Sequence, residues 1–138
     1  MKTEDTHDGA CIIVVKSGLT NTSRLEQLLA DGGYQAVLYS IDDTMFRLVR
    51  DELPALVMLN VASALDADAL RLLKLLRLNQ RTRRVPTIVR TAEPEQLRGR
   101  VERLGLPWCW LLRQTCTEHE LLAMIREAID AGAGNEGP

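Results

Sequence analysis

The chain has no marked excess of charge of either sign: 17 Lys and Arg stand against 19 Asp and Glu, a formal net charge of -2 over 138 residues. That balance removes any global electrostatic case for nucleic acid or an anionic membrane surface. Long apolar runs are missing too, none approaching the roughly 20 residues that span a bilayer. The opening Met1-Lys2-Thr3-Glu4-Asp5-Thr6-His7-Asp8-Gly9 lacks the apolar stretch of a secretory signal. Cysteine is limited to Cys11, Cys109 and Cys116, an odd count with no CxxC pair, so a reduced, cytoplasmic protein is expected. Histidine is limited to His7 and His119, neither placed beside a Cys, Ser or Asp at a spacing that suggests a metal site or a triad. Both are expected on the surface. No constellation points to an enzyme, and no metal or cofactor is expected.

What is present is a 46% hydrophobic chain of single-domain length, in which short apolar runs alternate with amphipathic segments. Cys11 to Val15 is a continuous, largely β-branched run, as in a strand buried on both faces. Lys16 to Asn21 reads as a loop. Leu25, Leu28 and Leu29 predict a helix from about Thr22 to Asp31, stopped by Gly32-Gly33. Strand-like runs follow at Tyr34–Ser40, Ala55–Asn60, Val85–Arg90 and Trp108–Leu112. Helical spacing covers Asp42–Asp51, Asp66–Leu78 and Pro94–Leu104. Thr117 and Glu120 form a capping box before Leu121, Leu122, Ile125 and Ile129, the best boundary signal in the chain. The pattern predicts a doubly wound α/β fold, a (βα)5 three-layer sandwich over a five-stranded parallel sheet. A disordered leader (1–10), a domain (11–131) and a flexible tail (132–138) are expected. In such a fold ligands gather at the carboxyl ends of the strands, here Lys16, Ser40, Asn60, Thr91 and Arg113.

Pro54-Ala55-Leu56-Val57-Met58-Leu59-Asn60-Val61 resembles the third strand of a bacterial response-regulator receiver domain. Leu29-Ala30-Asp31-Gly32-Gly33-Tyr34 is similar to that family's passage from helix one to strand two. Arg77 to Ile88 is similar to its helix-three exit and fourth strand. The resemblance runs from Cys11 to about Ala131 and implies a flavodoxin-like, receiver-like fold in two-component signalling.

The resemblance also implies site positions, and this chain departs from most of them. The acid pair that holds Mg²⁺ is replaced by Lys16 and Ser17, and the phosphoacceptor aspartate by Asn60. Thr91 keeps the hydroxyl after strand four and is followed by the usual small residue, Ala92. The lysine after strand five is matched by Arg113, its following proline by Gln114, and the aromatic switch residue by Trp110. An amide cannot act as the carboxylate nucleophile, and Mg²⁺ is bound through carboxylates, waters and phosphate oxygens. The expectation is a pseudo-receiver that takes up neither the ion nor an acyl phosphate. Asp42 and Asp43 follow strand two at a sheet edge and do not replace the lost acids.

Two readings of the remaining cations stand. Lys16 either donates to Asn60 or nearby carbonyls and fixes one conformation, or joins Thr91 and Arg113 in an anion or phosphorylated-ligand sensor. The local cluster Arg77, Arg81, Arg83 and Arg84 is either a solvated loop or a contact for an acidic partner or nucleic acid, the latter disfavoured by the near-neutral whole. Trp108 and Trp110 alternate along strand five and so face opposite sides. By the resemblance, the helix-four, strand-five, helix-five face meets protein partners or a homodimer mate. The leading expectation is a stand-alone protein–protein interaction module in bacterial signal transduction, with no nucleic acid or membrane partner.

Overall fold

The computed structural model describes residues 9–18, 24–62, 67–104 and 109–134. The expectations for Trp108, His7, the leader before Gly9 and the last four residues lie outside them. The elements, in chain order, are β1 (Cys11–Ser17), α1 (Leu25–Asp31), β2 (Gln35–Ser40), α2 (Met45–Glu52), β3 (Leu56–Val61), α3 (Ala67–Leu78), β4 (Thr87–Thr91), α4 (Pro94–Leu104), β5 (Cys109–Arg113) and α5 (Glu118–Gly134). The strands form one sheet in the order β2-β1-β3-β4-β5, every pair parallel. The order reverses across β1 and β3, so the carboxyl ends of these two strands form the crevice of a doubly wound fold.

β3 is buried at each of its positions, Asn60 included. Its side chains alternate between two cores. Leu56 and Met58 join Ile12, Val14 and Ile88 beneath α1 and α5. Val57, Leu59 and Val61 join Ile13, Val15 and Val89 beneath α2, α3 and α4. With no strand face left to water, continuous apolar runs rather than alternating ones encode the central strands.

Several boundaries differ from the sequence pattern for identifiable reasons. β1 continues through Lys16 and Ser17, because its ladder with β3 pairs Lys16 with Asn60 and Ser17 with Val61 whatever their side chains. β4 starts at Thr87, after Pro86, which has no N–H to give a ladder. α5 runs to Gly134, past Ala131. Gly33, at φ 92°, supplies the left-handed residue after α1. The other helix stop is costlier. Leu53 closes α2 at φ 46°, a conformation that costs a non-glycine residue on the order of 1–3 kcal/mol. Pro54 follows and cannot extend the helix.

The capping box at α5 forms as read. Thr117 N donates to Glu120 Oε1 at 2.9 Å, and Glu120 N donates to Thr117 Oγ1 at 3.0 Å. Among the described residues no helix is long and apolar enough to cross a membrane.

Candidate functional site

Register places the carboxyl-end residues in two rows. The first runs Ser40, Lys16, Asn60, Arg90 and Leu112 across the strands. The second, one residue on, runs Ser17, Val61, Thr91 and Arg113. Successive residues of a strand face opposite sides. Lys16, Asn60 and Arg90 therefore follow Val14, Met58 and Ile88 onto the α1/α5 face. Ser17, Thr91 and Arg113 follow Val15, Val89 and Leu111 onto the other face.

Asn60 is 1% exposed. Its Oδ1 accepts from Arg90 Nη1 at 3.1 Å, and Arg90 Nη2 donates to the Gln114 carbonyl at 3.2 Å. One guanidinium thus ties β3, β4 and the β5–α5 turn together. Two donors of this unit, Asn60 Nδ2 and Arg90 Nε, are buried without an acceptor. A buried polar group left unpaired costs about 1–3 kcal/mol, so the unit is only partly satisfied. Lys16 is half-buried. Its carbonyl accepts from Ile41 N at 2.9 Å. No bond joins its ammonium to Asn60: Arg90, rather than the expected Lys16, donates to that amide.

The second row is committed elsewhere. Thr91 is fully buried, and its Oγ1 accepts from Glu93 N at 3.1 Å, setting the entry to α4. Arg113 Nη2 pairs with Glu95 Oε2 at 2.9 Å, both side chains more than half exposed. That pair bridges the end of β5 to the first turn of α4. Lys16, Thr91 and Arg113 are therefore not gathered by hydrogen bonds into one basic pocket. Trp110 is half-buried and packs on the α1/α5-side core from the edge strand β5. Ser17 is buried.

These residues do not fit a divalent cation. Lys16, Ser17 and Asn60 stand at the positions that the sequence resemblance matches to a receiver's carboxylates, and the Asn60 oxygen already accepts from a guanidinium. Hard cations are held in proteins chiefly through carboxylates, and the charged groups of this row are the cations of Lys16 and Arg90. Asp42, on the edge-side of the sheet, is engaged by Thr44 through its backbone N at 2.8 Å and its hydroxyl at 2.6 Å. Those bonds hold its carboxyl below the usual range. Among the described residues no cluster of His, Cys, Asp and Glu forms a metal site.

The cysteines offer no activated nucleophile. Burial raises the Cys109 thiol to about 12. Burial also raises Cys116, against the opposing pull of Arg90, and Cys11, where Glu52 adds to it. Arg90 is the site residue that the sequence reading passed over. Its signal was a charge at the end of Thr87-Ile88-Val89, two positions after Ile88 and so on the same face.

No family model and no curated protein matches the chain. Solved structures do. A receiver domain of a sensor histidine kinase from Pseudomonas aeruginosa, which holds a magnesium ion in its active-site cleft, is 21% identical with a TM-score of 0.67, covering 88% of this chain and 98% of that one. The receiver domain of a signal transduction histidine kinase from Syntrophus aciditrophicus is 19% identical at a TM-score of 0.73, covering 89% and 92%. The receiver domain of Nitrogen Regulatory Protein C is 20% identical at 0.70, covering 88% and 95%. At such identities the likeness is one of architecture, and it agrees with the parallel β2-β1-β3-β4-β5 sheet. The chain has the fold of response-regulator receiver domains.

Proposed function

We propose that this chain is a pseudo-receiver: an atypical receiver acting as a protein–protein interaction module in bacterial signal transduction, independently of aspartyl phosphorylation. The observation that carries the reading is the Asn60–Arg90 bond at the end of β3. Where phosphotransfer needs a carboxylate nucleophile and a cation-binding acid pair, this site offers a buried amide, a guanidinium, Lys16 and Ser17. The Arg90 guanidinium ties β3, β4 and the β5–α5 turn with no phosphoryl group involved. The module is proposed to be cytoplasmic, without a cofactor, and to meet its partner or a second copy through the α4, β5, α5 face, with Trp110 and Arg113 at its centre. Tryptophan is enriched among residues that dominate interface energies, and Trp110 keeps part of its surface exposed on an edge strand.

Incubation with acetyl phosphate and Mg²⁺ tests the first half by intact mass. The expected result is no change, and a labile gain of one phosphoryl group would sink the reading. Capture of partners from the native cell, compared between the natural chain and Trp110→Ala, tests the second half.

A second reading, an anion sensor at Lys16, Thr91 and Arg113, draws support from one observation. The half-buried Lys16 ammonium has no hydrogen bond or ion pair among the described residues. Arg113 would have to leave Glu95 to join it. Thermal-shift measurements with phosphate-containing compounds, repeated on Lys16→Ala, separate the readings. A shift that the variant abolishes favours the sensor.

A further inference from the structure

The opposite end of the sheet carries a second arrangement of cations. The turn between α3 and β4 is pinned from within. Asn79 Oδ1 accepts from Arg81 N at 2.8 Å, and the Asn79 carbonyl accepts from Thr82 N at 3.2 Å and Arg83 N at 2.9 Å. Thr82 is 1% exposed, and its hydroxyl donates to the Leu76 carbonyl at 2.7 Å. With Thr82 anchored inward, Arg81, Arg83 and Arg84 all stand exposed. None of the three guanidiniums has a hydrogen bond or an ion pair among the described residues.

Arg81 and Arg84 line a cleft of about 370 Å³ at the amino ends of β3 and β4, floored by Pro54, Val85, Pro86 and Ile129. Its wall is closed by α5. A Cβ on Gly132 would lie 2.8 Å from Pro86 Cγ, so only glycine lets the helix settle this closely. Leu53 stands at the rim, held at positive φ and 43% exposed. An exposed leucine in a conformation that glycine or asparagine adopts more cheaply is poorly explained by folding alone. No carboxylate among the described residues lines the cleft.

We propose that this cleft binds a small organic phosphate, a monoester dianion gripped by Arg81 and Arg84 with its apolar body on the Pro54–Ile129 floor. The size lies in the range of small-molecule sites, which are mostly apolar with a few convergent polar groups. Two arginines supply charge to match a dianion, and the guanidinium fork matches phosphate oxygens bidentately. The near-neutral chain and its scarce aromatics give no extended track or stacking platform for a nucleic-acid strand. This site lies at the opposite end of the sheet from Asn60 and does not depend on the reading of that residue.

The test is an NMR titration of the full chain with phenyl phosphate, run beside inorganic phosphate and benzyl alcohol. Saturable shifts are expected at Leu53, Val85, Ile129 and Gly132 with phenyl phosphate. Inorganic phosphate should bind at least about tenfold more weakly, and benzyl alcohol should not saturate. Arg81→Ala and Arg84→Ala should each weaken phenyl phosphate about tenfold, as expected when a charge-assisted bond is lost. Arg83→Ala, on the same turn but outside the cleft, should change affinity less than about twofold. Equal loss in all three variants would reduce the site to a diffuse basic patch and overturn the proposal. So would equal binding of inorganic phosphate, or no saturation by phenyl phosphate at millimolar concentration. Arg81 and Arg84 also share the cleft with the end of α5, whose last turn has no basic residue. A lower melting temperature in their variants with no phenyl phosphate binding in the natural chain would assign them to helix stabilisation instead.

Discussion

Arg90 reaches across from β4 to hold the Asn60 side chain at 3.1 Å, and the same guanidinium continues to the Gln114 carbonyl at 3.2 Å. Both residues lie on the α1/α5 face, in register with one another. Their link ties the centre of the sheet to the turn that leads into α5.

Removing both partners should cost less than the sum of removing each. Arg90→Met leaves a buried amide with neither its oxygen nor its nitrogen paired, which predicts a loss of about 2–3 kcal/mol. Asn60→Leu leaves a guanidinium short of an acceptor and should cost a similar amount. The double variant Asn60→Leu/Arg90→Met replaces a half-satisfied polar pair by apolar groups and should recover at least about 1 kcal/mol of the summed losses. Urea unfolding of the four proteins measures the cycle, and strictly additive losses would show the bond to be energetically idle.

Asn60→Asp should raise stability without restoring phosphorylation. The new carboxylate gains a charge-assisted bond from Arg90 and removes the orphaned Nδ2 donor, together on the order of 1–2 kcal/mol. An adjacent cation favours the ionised form, so this gain is present at neutral pH and disappears as acid protonates the group. If Lys16 and Ser17 occupy the place of a receiver's acid pair, as proposed, acetyl phosphate and Mg²⁺ should still leave the mass unchanged.

Thr117→Ala opens the capping box at α5. Both reciprocal bonds with Glu120 involve this residue's geometry, and the loss should be about 1 kcal/mol. Hydrogen exchange should accelerate first at Glu120 and Leu121, the amides nearest the cap, before it changes in the sheet.

The Cys109 thiol, raised by burial to about 12, should resist alkylation in the folded chain at pH 8 and react fully in urea. The sign of the linkage follows. The folded state keeps this proton where the unfolded chain, at an ordinary thiol value near 8.5, releases it. Its contribution to stability is therefore complete below about pH 8.5 and declines as pH rises toward 12. Cys109→Ala should flatten that alkaline decline in a melting-temperature profile.

The architecture was readable because each buried central strand is a short run of Ile, Val and Leu, and each helix repeats its apolar side at helical spacing. Asn60, Thr91 and Arg113 could be placed at strand ends from those runs, and Trp110 within β5. Lys16 and Ser17 have the look of a loop in the sequence, since polar side chains hide a strand whose pairing is made by the backbone. The partners were not readable. That Arg90 rather than Lys16 serves Asn60, and that Arg113 turns to Glu95, depends on which side of the pleat each residue occupies and how far its side chain reaches. Inter-strand register sets the first of these, and no local pattern reports it.

The two rows at the carboxyl end also make the chain intolerant of a particular genetic accident. A one-codon deletion between Pro54 and Asn60 would exchange the faces of every later β3 side chain. Val61 would then confront Arg90, and the Asn60 amide would be driven into the Val89–Leu97 side of the core. Substitution can revise this site residue by residue, whereas a frame-preserving loss of length cannot.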